Sequence, residues 1–275
     1  IVVKKLGFMQ GRLVDSEKKK AIQYFPAKRW QHELTLAKKL NFKIMEWTIN
    51  KENINMNPIF NGSVNEIKIL KKKNKIEIPS LTCDYFMQVP FFKKKYKKNK
   101  EVILKNLARI IKNGQKIGIK YFIFPLVDNS SIRFKSEEDI LIKNIKKKLL
   151  SKLNKKSKIL FEIDYSPENI LRFIKKFKSK KIGINYDTGN SSGLNYNFQD
   201  EVKYFKYVYN IHIKDRKLHG TTVRLGKGNW DYKKFFDIIK KNYNGNFILQ
   251  TARNSKNKHL FEININRKFF NKYYE

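Results

Sequence analysis

Apolar residues in this chain follow two alternating patterns: short continuous runs, and longer stretches where they recur every third or fourth position. The first suits a strand buried on both faces and the second an amphipathic helix. The runs predict strands at Leu6 to Met9, Ile44 to Ile49, Ile78 to Cys83, Tyr121 to Pro125, Ile159 to Ile163, Ile182 to Tyr186, Val208 to Arg216 and Phe247 to Gln250. Trp30, Leu34, Ala37 and Leu40 mark one face of a helix from about Pro26 to Leu40. Ile103, Leu107, Ile110, Ile111 and Ile117 mark another from Val102, with Gly118 placed to stop it. Further helices are expected near Val64 to Lys73, from Glu137 to Leu153, after Ser166-Pro167-Glu168, from about Asp231 and within Leu260 to Tyr273. Eight strand–helix units in 275 residues predict a parallel sheet sheathed by helices, most economically a closed (β/α)8 TIM barrel. No linker or compositional break divides it, so residues 1–275 read as one domain.

Composition changes this picture little. Apolar residues make up 41% of the chain and aromatics 14%, enough for a packed core. The net charge of +37 would ordinarily point to nucleic acid, because a basic surface releases counterions on binding phosphates. Here the excess is mostly lysine on helical faces, as in Lys71-Lys72-Lys73 and Lys146-Lys147-Lys148, and arginine, the better fork for phosphate and base edges, is sparse. Solvated helix faces are the expected explanation, and no nucleic-acid partner is expected. Cys83 is the single cysteine, so neither an intrachain disulfide nor a multi-cysteine zinc site can form. The apolar stretch at Ile1 to Met9 is too short for a signal peptide, and no segment reaches the ~18 apolar residues of a membrane span. A reducing, cytoplasmic location follows as an expectation; the start at Ile1 rather than Met suggests a trimmed chain start.

In a (β/α)8 barrel, functional groups sit at the C-terminal ends of the strands. The polar residues there are Glu46, Asp84, Glu162, Asp187, His212 and Gln250. Glu162, Asp187 and His212 are each 25 residues apart, one unit, so successive strands present them at one level. Each has an alternative role: Glu162 as an ion-pair partner, Asp187 as a turn or helix cap, His212 as a core histidine. Together, two carboxylates, an imidazole and the Gln250 amide oxygen suit one divalent ion, Mn2+, Mg2+, Co2+ or Zn2+.

Several motifs resemble the sugar phosphate isomerase/epimerase group of the xylose isomerase-like barrel superfamily over almost the whole chain. They are Leu6-Gly7-Phe8-Met9-Gln10-Gly11-Arg12-Leu13, Glu46-Trp47, Pro125-Leu126-Val127-Asp128-Asn129-Ser130, Glu162-Ile163-Asp164, Asn185-Tyr186-Asp187-Thr188-Gly189-Asn190, His212-Ile213-Lys214-Asp215-Arg216, Leu225-Gly226-Lys227-Gly228 and Leu249-Gln250-Thr251-Ala252-Arg253. The resemblance implies a metal held by Glu162, Asp187, His212 and Gln250. It implies a ketose or ketose phosphate substrate whose metal-polarised carbonyl acidifies the neighbouring carbon, with Glu162 as the base that generates an enediolate. Lys214 is a second catalytic candidate. Glu46, Asp84, Arg216 and Arg224 are candidates for holding substrate, the arginines through a phosphate or carboxylate.

One position departs from the pattern. The ketose 3-epimerases of this superfamily place a second glutamate where this chain has Gln250, and an amide cannot shuttle protons. One-base aldose–ketose isomerisation or dehydration of a keto sugar therefore competes with two-base epimerisation, unless Glu46, Asp84 or Lys214 supplies the second group. A catalytically impaired sugar-binding barrel is a further alternative. The related abasic-site nucleases need many histidines, whereas His32, His219 and His259 lie away from the strand ends, so a nuclease is not expected. The small-molecule partner is a sugar or sugar phosphate, and the sequence leaves room for a homo-oligomer.

Overall fold

The computed structural model describes residues 5–15, 18, 23–254 and 256–274. The expectation for Ile1 to Lys4, that they begin no signal segment, lies outside them. Eight parallel strands close into a barrel: β1 Leu6–Met9, β2 Ile44–Ile49, β3 Ser80–Cys83, β4 Tyr121–Leu126, β5 Lys158–Ile163, β6 Ile182–Asp187, β7 Val208–Ile213 and β8 Asn246–Leu249. Around the ring they run in sequence order, with β1 hydrogen-bonded to both β2 and β8. The main outer helices are α1 Trp30–Lys39, α2 Val64–Asn74, α3 Lys100–Lys116, α4 Lys135–Asn144, α5 Pro167–Lys176, α6 Thr188–Leu194, α7 Tyr232–Asn242 and α8 His259–Tyr274. No helix of the described residues is long and apolar enough to cross a membrane.

The sequence pattern places the elements well and their ends less well. The first helix begins at Trp30, because Pro26 to Arg29 form a turn rather than a helical lead-in. β3 starts at Ser80, after Pro79, which has no N–H for the ladder. The stretch expected to be helical from Glu137 to Leu153 is α-helical only to Asn144, then passes through a π turn and a 3-10 turn. Gly118, at φ +96°, ends the α3 region in a left-handed conformation that a side chain rarely adopts. Gln250 lies one residue beyond its strand, with its N–H donated to Ile213 O at the end of β7.

Alternation along the strands divides the core into two layers. Residues facing outward are large and apolar and lock the helices on: Phe161 packs against Phe173 and Phe177, Tyr186 stacks on Phe235, and Phe247 meets Phe270. The inward layer near the mouth is polar. Glu46 on β2 reaches across the interior to Asn210 and His212 on β7, a contact possible only through the barrel lumen. Between β6 and β7 the register slips by one residue, pairing Ile184 with Val208 but Asn185 with Asn210. Tyr209 is the extra residue of this bulge, and beyond it Asp187 stands directly beside His212.

Candidate metal centre and active site

β5, β6 and β7 bring Glu162, Asp187 and His212 together, each buried, with one ligand-type atom from each lying within 4.8 Å of the others. His212 Nδ1 is 3.1 Å from Glu162 Oε2 and 3.9 Å from Asp187 Oδ2. Its Nε2 is 2.7 Å from Glu46 Oε1. Glu46 also accepts hydrogen bonds from Ser80, Thr82 and Asn210. Burial works to raise its pKa, but His212 and those donors hold it below the usual value, so Glu46 is an ionised acceptor. His212 therefore donates Nε2–H to Glu46 and turns Nδ1 toward Glu162 and Asp187.

Two carboxylates and a ring nitrogen facing one another call for a cation among them. With only protons available, the demand appears on the imidazole: burial opposes its charge, yet Glu46 and Glu162 push its pKa up to about 10. A carboxylate behind a histidine and two carboxylates in front of it form the arrangement in which metal-binding imidazoles are oriented. The donor chemistry thus fits a divalent ion. Asn185 Nδ2, 2.9 Å from Glu162 Oε2 and 3.0 Å from His212 Nδ1, and Asn190 Nδ2, 2.8 Å from Glu162 Oε1, orient the carboxylate. Asp187 has two roles at once. Its Oδ1 caps α6 by accepting Asn190 N–H at 2.8 Å, while Oδ2 faces the cluster.

Glu162 faces a cleft of some 270 Å³, lined also by Lys214, Gln250 and Asp84. Lys214 Nζ bridges Asp187 Oδ2 at 3.1 Å and Gln250 Oε1 at 3.4 Å. Gln23 spans the mouth, donating to Asp84 Oδ2 at 2.9 Å and accepting from Gln250 Nε2 at 2.8 Å. Burial and the Glu162 charge push the Asp84 carboxyl up to about 7.

A sequence profile of the xylose isomerase-like TIM barrel matches residues 34–269. The chain belongs to that family. A putative L-ribulose-5-phosphate 3-epimerase of Haemophilus influenzae is 24% identical, the match covering 87% of this chain and 90% of the relative. Two solved structures share the fold. A xylose isomerase-like barrel from Mycobacterium smegmatis in complex with magnesium has a TM-score of 0.70 at 14% identity, covering 100% of this chain and 98% of its own. A D-allulose 3-epimerase from Methylomonas sp. in complex with D-allulose has a TM-score of 0.72 at 13% identity, covering 98% of this chain and 97% of its own.

Within this xylose isomerase-like barrel, not every strand-end candidate reaches the cleft. Glu46 is fully buried beneath His212, so its position is that of a support for the imidazole and not of a substrate contact. Arg224 pairs with Glu262 of α8 through two 2.7 Å hydrogen bonds, which turns it to the outside of the site. Arg216 donates to Gly220 O at 3.1 and 2.9 Å and to Asn190 Oδ1 at 3.4 Å, which ties its fork to its own loop. Asn185, Asn190 and Gln23 were not among the candidates. For Asn185 the signal was present: it stands two residues before Asp187, hence on the same strand face, as Asn210 does before His212. Gln23 lies in a polar loop with nothing in its local pattern to distinguish it.

Proposed function

We propose that this protein is a divalent-metal-dependent isomerase or epimerase of a keto sugar or its phosphate, acting by proton transfer at the carbon next to the carbonyl. The observation that carries this reading is the convergence of Glu162 Oε2, Asp187 Oδ2 and His212 Nδ1, with Glu46 fixing the ring behind them. Glu162, Asp187 and His212 would hold the ion, with the Gln250 amide oxygen as the fourth donor. A divalent ion there polarises a substrate carbonyl and lowers the barrier to losing the neighbouring proton.

Glu162 is the base: it lines the cleft, and Asn185 and Asn190 keep its carboxylate aimed. Lys214 offers positive charge beside the developing oxyanion. Gln250 cannot return a proton, but Asp84 lines the same cleft and, with its carboxyl near 7, can carry one at neutral pH. That favours epimerisation with Asp84 as second acid, and isomerisation or dehydration remains the reading if Asp84 is silent. The names of the Haemophilus influenzae relative and the Methylomonas enzyme support a ketose substrate.

The test is deuterium wash-in from D2O into ketoses and ketose phosphates with Mn2+. Exchange at the carbon beside the carbonyl is expected, abolished in Glu162→Gln; in Asp84→Asn exchange persists while inversion is lost. Absence of exchange across all substrates with metal present sinks the reading.

A further inference from the structure

Arg12 lies in the turn after β1 and is 3% exposed. Its Nε donates to Thr251 O at 2.9 Å, but neither Nη1 nor Nη2 has a hydrogen-bond partner among the described residues. Thr251 Oγ and Gln10 Nε2, two more buried groups on the same adjoining strand ends, are also unpartnered. All can donate a hydrogen bond, and a buried guanidinium without an acceptor is strongly unfavourable. Glu33 and Asp84 offset its charge through space but leave the η nitrogens unbonded, since the Glu33 carboxylate accepts the N–H groups of Gly11 and Leu13. Arg253 donates to Val14 O at 2.8 Å and also to Gly11 O, so the turn is clamped from both sides and holds the Arg12 fork in place.

The place of this fork relative to the reacting centre is what gives it meaning. Thr251 directly follows Gln250, Asp84 lies within the field of Arg12, and a Cβ on Gly11 would stand 2.9 Å from Tyr24 O. Gln250, Asp84 and Tyr24 line the cleft, and Arg12, Thr251 and Gln10 are buried behind that lining. In the eight-strand ring β1 lies four places from β5, so Arg12 and Glu162 stand on opposite sides of the mouth. The two lysines lining the cleft are already paired, Lys18 with Glu52 and Lys214 with Asp187, each at 3.1 Å. Glu52 and Asp128 repel anions elsewhere along the cleft wall.

We propose that Arg12, with Thr251 and Gln10, forms an anion subsite that takes the phosphate or carboxylate at the end of the sugar remote from its reacting carbonyl. The planar fork offers both η nitrogens to two oxygens of such a group. This deepens the isomerase reading and rests on it for the identity of the remainder of the ligand. It also moves the expected anion contact from Arg216 and Arg224 to Arg12.

Titration calorimetry of the full chain stripped of divalent ions, with inorganic phosphate and separately with a five-carbon aldonate, reads the subsite without turnover. One of these anions is expected to bind, and Arg12→Gln to weaken it on the order of 10- to 100-fold. Arg12→Lys, which keeps the charge and loses the fork, should lie between. Should Arg12→Gln melt out by circular dichroism, Thr251→Val, which removes one hydroxyl at nearly constant volume, is expected to weaken binding several-fold. Preference for phosphate assigns a sugar phosphate, and preference for the aldonate assigns a sugar acid. Binding of neither anion to the unaltered chain, or undiminished binding by folded Arg12 and Thr251 variants, overturns the proposal. Anion binding that depends on Arg12 without any deuterium exchange brings down only the isomerase reading; exchange in which Arg12→Gln is indifferent brings down only the subsite.

Discussion

A glutamate at a strand end does not announce its depth. Glu46 and Glu162 look alike in sequence, yet one lies beneath His212 with 0% exposure and the other lines the cleft. Glu46 instead holds Nε2 of His212 and so turns Nδ1 to the cluster. Such supporting carboxylates typically account for 10- to 100-fold in metal affinity, so Glu46→Gln is expected to weaken Mn2+ binding by about that factor. Isothermal titration with Mn2+ measures it, and an affinity equal to that of the unaltered protein would show that the ring needs no such support. Gln250 poses the opposite case. Its identity alone showed that it cannot exchange protons; of the substitutes named from sequence, the structure lines the cleft with Asp84 and Lys214 and buries Glu46 beneath His212.

Elements carry the next layer of information. Strand and helix centres were legible because unbroken apolar runs and a recurrence every third or fourth residue reflect which faces are buried. The bulge at Tyr209 was not, although it decides the site: without that slip the register would pair Asp187 with Ile211, not His212. The loop after β7 is likewise built by a single side chain. Asp215 accepts N–H groups from Gly226 and Gly228 at 2.9 Å, from Arg216 at 3.0 Å and from Trp230 at 3.3 Å. A Cβ on Gly228 would collide with the Asp215 carboxylate, so the glycine is required there by close approach. Asp215→Ala leaves these donors without an acceptor, and a loss of about 1–3 kcal/mol is expected in urea unfolding. A change under about 0.5 kcal/mol, the range of ordinary surface substitutions, would mean the loop is held by other contacts.

At the scale of the whole molecule, charge is the dominant unresolved force. Sixty-one basic residues face 24 acidic ones, so even complete pairing leaves an excess of +37. Several acids are committed to buried or loop structure rather than to neutralising lysines, Glu46, Glu33 and Asp215 among them. Self-repulsion of this size destabilises the compact state. Screening should relieve it: raising NaCl from about 0.1 M to about 1 M shortens the Debye length from about 10 Å to about 3 Å and is expected to raise Tm by several degrees. A Tm that falls or stays level under calorimetric scanning contradicts this account.

The sequence by itself determined the eight-unit barrel and marked Glu162, Asp187 and His212 as strand-end groups one unit apart, because both follow from local patterning and spacing along the chain. Tertiary structure alone decided how those groups act: which nitrogen of His212 faces the cluster, which arginines are already paired, and which one is buried with its fork unfilled. These are matters of contact between segments far apart in sequence, as in the 166 residues separating Glu46 from His212. Patterning records whether a side chain is turned inward; only the packed barrel sets what it meets there.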